Sequence, residues 1–154
     1  MQPSSEQFTE QSWSAIISAQ NNAQEQNNQS IETEHLLKEL ITSNDLVKRI
    51  LEKNQISLGR LNLKIEQFIQ KQPKLNKRAD SLFLGKSLNE TLSRAEDYRK
   101  SYKDKFISIE HLLISLINDN RCGKKLLNEE NLYEKDLIST INKIRGDQKV
   151  TDQN

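Results

Sequence analysis

The phrase SIETEHLLKEL at residues 30–40 returns as FISIEHLLISL at 106–116. Setting His35 under His111, an offset of 76 residues, aligns 31–68 with 107–144 without a gap. Identical pairs include Ile31 and Ile107, Glu34 and Glu110, Leu36 and Leu112, Leu40 and Leu116, Leu51 and Leu127, and Ile65 and Ile141. Most of the shared residues are apolar and recur every three to four positions, the spacing that lines one face of an α-helix. A chain that carries the same buried stripe twice is constrained to fold as two copies of one helical unit, each small alone and packed against the other.

Each unit divides into four helices. The first starts after Thr9, a good N-cap, and carries Trp13, Ile16, Ile17, Ala19 and Ala23. Its counterpart is predicted to start at Ser87, where Ser87-Leu88-Asn89-Glu90 has the pattern of a capping box and Leu88, Leu92 and Ala95 face inward. The repeated phrase is the second helix, with Glu34 or Glu110 in a first turn whose dipole favours a carboxylate. A short third helix covers about Leu46–Lys53 and Cys122–Glu129, and a fourth about Ser57–Gln70 and Tyr133–Ile144. The predicted fold is all-α: two pseudo-symmetric four-helix repeats, about 8–71 and 87–145, packed as one domain over 1–145. A polar linker at about 72–86, with Pro73 and no helical period, joins them, and residues 146–154 are polar and aperiodic. Four glycines and two prolines supply little of the turn chemistry that an all-β chain needs.

Charge and motif chemistry narrow the functions. Lys and Arg (23) nearly balance Asp and Glu (22), so no long-range positive field draws the chain to nucleic acid or an anionic membrane. Cys122 is the single cysteine, which excludes an intramolecular disulfide and a CxxC site and suits a reducing, cytoplasmic compartment. The start MQPSSEQFTE lacks signal-peptide character, and no apolar run approaches the roughly 18 residues of a membrane span. Leu84-Gly85-Lys86-Ser87 ends like a phosphate-binding loop, but the glycine needed five residues earlier is Asp80, whose carboxylate would repel phosphate. A helix start without nucleotide binding is the expectation there. His35 and His111 each lack a second His or Cys one turn away, so no metal is expected. Cys122 aligns with Leu46, which suits a buried apolar side chain better than a nucleophile.

Two EHLL-type phrases, each in a short helix, resemble the double Clp N-terminal repeat at the front of Clp ATPases. The resemblance covers nearly the whole chain from EQFTEQSW onward, and LGKSLNETLSRAEDYRKSYKDKFISIEHLL and the closing IRGDQKVTDQN look like the ClpB-type disaggregase branch. It implies a noncatalytic domain that captures exposed apolar segments of unfolded or aggregated polypeptides and passes them to the pore of a hexameric ring, in cooperation with a DnaK-type chaperone system. ATP and Mg would belong to AAA+ modules beyond this chain, toward which 146–154 starts a linker; the chain itself is expected to hold no cofactor and to be a monomer in isolation. Positions implicated in client handling match Thr9, Asp104 and Glu110, which must then be neighbours in space. The groove-lining positions of the second repeat fall at Leu92, Arg94, Tyr98 and His111, and the last three stand where relatives can have leucine, making the groove more polar. The same resemblance admits an alternative, an adaptor-docking domain of a Clp protease ATPase such as ClpC, which recognises one folded partner. Each residue also has a plain structural role open to it: Thr9 as N-cap, Asp104 as loop residue, Glu110 as first-turn carboxylate, Leu92 as core.

Overall fold

The computed structural model describes residues 3–154; Met1 and Gln2 of the expected domain lie outside the described residues. The described residues form α1 (Glu10–Glu25), α2 (Thr33–Ser43), α3 (Asp45–Lys53) and α4 (Leu58–Gln70), then α5 (Lys86–Ser101), α6 (Ile109–Leu116), α7 (Gly123–Glu129) and α8 (Glu134–Arg145). Two short strands, β1 (Ser30–Ile31) and β2 (Phe83–Leu84), run parallel. The repeat extends to backbone detail. Four helices end through a left-handed residue, Asn27, Gln55, Lys103 and Asn131, with φ between 58° and 63°. In each case the following amide reaches back to a carbonyl five residues earlier, as in Asn28 to Ala23 and Asp104 to Arg99, both 3.0 Å, which satisfies carbonyls that the helix leaves open. None of the four is glycine, so the sequence carries no strong mark of these ends.

The two units are laced rather than merely stacked. Gly85 N–H donates to Ile31 O at 2.9 Å, and Thr9 N–H donates to Ile107 O at 3.0 Å. Each repeat's first helix is thus entered through a backbone bridge to the residue two positions before the other repeat's second helix. Helix packing follows the same exchange: α1–α6 is matched by α2–α5, α3–α6 by α2–α7, and α3–α8 by α4–α7. The repeated leucines Leu36, Leu37, Leu40, Leu112, Leu113 and Leu116 are fully buried and belong to one core that spans both units. Among the described residues no helix is long and apolar enough to cross a membrane.

The structure departs from or adds to the sequence pattern at three places. α5 starts at Lys86 with Gly85 as N-cap, and Ser87 does not cap it. The Glu32 carboxylate, reaching across from the first repeat, accepts from Leu88 N–H at 3.3 Å instead. A Cβ on Gly85 would lie 2.0 Å from the Glu32 carboxyl carbon, so the close approach needs glycine. On α1, Ile17 is exposed and Trp13 only half-buried, because the inward stripe runs through Ser12, Ala15, Ile16, Ala19 and Ala23. The expected linker also contributes β2, two residues too short to show a period.

Candidate functional site

The starts of α1 and α6 open onto one shallow trough, and each is built by local capping. Thr9 Oγ1 accepts from Ser12 N–H at 3.3 Å, closing the first turn of α1. At α6 the Ser108 N–H donates to Nδ1 of His111 at 2.9 Å, which turns the imidazole inward. Its Nε2 lies 2.7 Å from Asp104 Oδ2. Arg145, at the end of α8, donates to both Asp104 oxygens at 2.7 and 2.8 Å and to Glu110 at 3.3 Å, with its guanidinium 4.7 Å above the Tyr102 ring.

Thr9 and Glu110 line the trough together, and Asp104 is joined to Glu110 through Arg145. The neighbourhood expected of Thr9, Asp104 and Glu110 is therefore present, and His111 belongs to it. The loop residue Asp104, however, is buried, with its oxygens taken by Arg145, His111 and the Val150 N–H at 2.8 Å. Leu92 is also buried, in the core, and does not share an open groove with His111, which is wholly enclosed. Arg94 and Tyr98 form a separate polar seam: Arg94 donates to Ser115 O at 2.9 Å, and the Tyr98 hydroxyl donates to Glu134 at 2.7 Å. Burial and that bond push the Tyr98 hydroxyl up to about 12.

The first repeat holds a twin cluster. Glu32 N–H donates to His35 Nδ1 at 2.9 Å, His35 Nε2 meets Asn28 Oδ1 at 2.9 Å, and Arg121 donates to both oxygens of Glu34 at 2.8 and 2.9 Å. The two arginines and Asn28 escaped sequence reasoning. Extending the 76-residue offset upstream pairs Asn28 with Asp104, a usable signal; Arg121 and Arg145 fall at unrelated repeat positions and had none. Among the described residues no group of three or more His, Cys, Asp or Glu side chains is gathered for a metal.

An amide N–H pointed at Nδ1 needs the ring lone pair there, so each histidine carries its proton on Nε2 and is neutral. Burial lowers both histidines, outweighing the pull of Glu34 on His35 and of Asp104 and Glu110 on His111, with Arg121, Lys38 and Arg145 acting in the same direction as burial. Below a pH of about 6.5 the unfolded chain then binds protons the native state refuses, and stability falls with pH down to the folded values. Glu32, raised by burial, works in the opposite sense at lower pH, so variants isolate the effect. Denaturant midpoints between pH 7.5 and 5.5 should fall for the wild type and fall less in His35→Gln and His111→Gln; an unchanged pH slope in both variants would rule out neutral buried histidines.

Residues 7–130 match the Clp repeat (R) N-terminal domain family. The chain is 49% identical over 147 residues, 96% of its length, to the chaperone protein ClpB of Prochlorococcus marinus, and 47% identical over its whole length to chaperone protein ClpB 1 of Parasynechococcus marenigrum. It spans only 17% and 18% of those two proteins. The fold is similar to that of the Hsp104 N-terminal domain from Candida albicans, with a TM-score of 0.86 at 21% identity over 97% of this chain and 98% of that one. It is also similar to the N-terminal domain of the protease-associated chaperone ClpD from Arabidopsis thaliana, with a TM-score of 0.71 at 19% identity over 94% and 99%. With a double helical repeat, laced helix starts and a family match over most of its length, this chain belongs to the Clp repeat N-terminal domain family.

Proposed function

We propose that the chain is the noncatalytic client-binding domain of a ClpB-type disaggregase, holding extended segments of unfolded or aggregated polypeptides at the trough beside Thr9 and Glu110. One observation carries this reading: the chain's own residues 148–153 lie across those helix starts and are held through their backbone. Lys105 N–H donates to Val150 O at 2.8 Å, Glu10 N–H at the first turn of α1 donates to Gln153 O at 2.7 Å, and Asp104 accepts the Val150 N–H. N–H groups that a helix start leaves without an intrahelical partner, together with a carboxylate wall, recognise an extended backbone whatever its side chains, which suits promiscuous capture. Asp104 and His111 act from below, positioning Arg145 and through it Glu110. A shallow trough recovers little apolar area against the cost of ordering a client, so one domain binds weakly, and tethered copies around a hexameric ring supply avidity. Hand-off to the pore, ATP and Mg chemistry, and cooperation with a DnaK-type system in the cytoplasm belong to the rest of such an assembly.

Titrating a reduced, carboxymethylated protein that stays unfolded tests the reading. Binding is expected, and Glu110→Ala should weaken it roughly tenfold, or about 1.4 kcal/mol, the scale of one hydrogen bond to a charged group, with little change in melting. Wild-type affinity in that variant removes the trough from the function. A stoichiometric complex with one folded protein and none with unfolded chains points instead to adaptor docking.

A further inference from the structure

The trough does not end at Glu110. It continues along α3, where Leu46 lines three adjoining hollows, toward α1 and α2, beneath residues 149–152, and toward α8, and Ile144 links the last of these to a fourth. The middle of this furrow has an apolar floor, the half-buried Leu46 and Ile144 over the fully buried Ile50 and Ile141, with Glu110 and Arg145 paired on its wall. Its two ends carry opposite charge. Glu10, Glu39 and Asp45 stand at the α1–α2 end without a basic residue among them, and Arg49, Lys53 and Lys143 stand at the α8 end without an acidic one. Glu39 accepts one amide hydrogen bond from Asn22, and none of the six is in an ion pair among the described residues.

Helix dipoles account for some of these charges one at a time, since Glu10 and Asp45 lie in first turns and Lys53 and Lys143 in last turns. They do not account for Glu39 or Arg49 within their helices, nor for the convergence of three like charges at each end of one furrow. The pseudo-symmetric hollow beside Glu34 is open too, but its guanidinium is neutralised. There Arg121 occupies the position matching Asp45, binds both oxygens of Glu34, and reaches Gln72 at 3.2 Å. The α3 furrow instead presents unneutralised charge at both ends of its apolar floor.

We propose that this furrow selects client segments of bipolar pattern: a basic group at one end, about four apolar residues, and an acidic group at the other. The proposal rests on the client-binding reading above and names the segment class. Asp45 and Lys53 are eight positions apart on α3, about 12 Å at 1.5 Å per residue, which roughly four extended residues span. Basic side chains complement the α1–α2 end, acidic ones the α8 end, and the furrow walls remove the centre from water.

Labelled peptides of about eight residues test it by fluorescence anisotropy on the whole chain. They share one apolar centre and differ in their ends: Lys-Lys with Glu-Glu in either chain direction, Lys-Lys at both ends, Glu-Glu at both, or Ser-Ser at both. At low salt a bipolar peptide should bind at least several-fold more tightly than the Ser-ended one, and most of that advantage should vanish at about 0.5 M salt, where the screening length is a few ångströms. In Arg49→Glu with Lys143→Glu, both exposed positions, the preference should move to the peptide basic at both ends. Equal binding of bipolar and Ser-ended peptides, or a wild-type preference for a uniformly charged one, overturns the bipolar furrow while leaving client binding standing. If no peptide binds but an unfolded protein does, the furrow is again excluded; if neither binds, both readings fall.

Discussion

Replacing Asp104 by alanine should destabilise the fold by about 3–5 kcal/mol, the range for removing one partner of a buried ion pair. Asp104 is 3% exposed, and its carboxylate receives two Arg145 hydrogen bonds, the His111 Nε2–H and the Val150 N–H. Alanine leaves Arg145 with the longer Glu110 contact, the Gln148 carbonyl at 3.0 Å and the Tyr102 ring, and strands the buried imidazole and amide donors. Asparagine should recover part of the loss, because Asn28 serves His35 in this way in the first repeat, but it offers Arg145 no charge. The pH dependence gives a second handle. Burial alone would raise the Asp104 carboxyl, but the Arg145 bonds, the Val150 N–H and His111 together outweigh it and hold it below its usual range. That contribution is present above the unfolded value of about 3.9 and is lost as pH falls through the folded one, so wild type and variant should converge in strong acid. Denaturant midpoints of Asp104→Ala equal to wild type at neutral pH would show that the network adds no stability. The structural role also changes how the site is tested. An Asp104 variant that stops binding client has lost its fold's anchor as well, whereas Glu110, on the trough wall, separates the two.

What was legible in the sequence was whatever the repeat expressed through side-chain period. The duplicated leucines predicted the helices, their count and the single core, because burial of a stripe constrains every third or fourth residue. Helix ends were less legible where tertiary partners replaced local signals. Ser87 has the sequence of a capping box, but Glu32, distant in sequence, caps that helix, and Gly85 rather than Ser87 stands at the offset matching Thr9. Of the candidate site, Thr9 and Glu110 were legible as helix starts. The burial of Asp104 was not, since it depends on Arg145 and the polar segment around Val150, neither of which has period or repeat counterpart to announce it. The groove expected from Leu92, Arg94, Tyr98 and His111 separates into core, seam and buried network for the same reason: a helix position specifies a face, and the neighbouring elements decide what covers it.

A second large effect is expected at Gly123. In the first repeat the matching position is Val47, buried in α3, so alignment suggests that any small apolar residue fits. The second repeat differs in length there: α6 stops at Leu116, whereas α2 runs to Ser43, which corresponds to 119. The shorter helix brings the Leu116 carbonyl over the start of α7, and a Cβ on Gly123 would lie 2.0 Å from that oxygen. A backbone oxygen cannot swing aside as a side chain can. Moving it displaces the end of α6 or lifts α7 from the Asp119 carboxylate, which accepts from Cys122 and Gly123 N–H at 2.9 Å each. Asp119 is the cap that sequence reasoning missed, one residue before Asn120, the match for the Asn44 that caps α3. Overpacking of about 1–3 kcal/mol and loss of a cap worth about 1–2 kcal/mol act together, so Gly123→Ala should cost roughly 3 kcal/mol or more. Gly59, exposed in α4 with nothing within 4 Å of an added Cβ, is the matched control: Gly59→Ala should stabilise by up to about 1 kcal/mol through reduced unfolded-state freedom. Chemical denaturation of the two variants should therefore shift in opposite directions, and a Gly123→Ala midpoint at or above wild type would mean that the α6–α7 turn relaxes freely and that the Leu116 contact does not hold it.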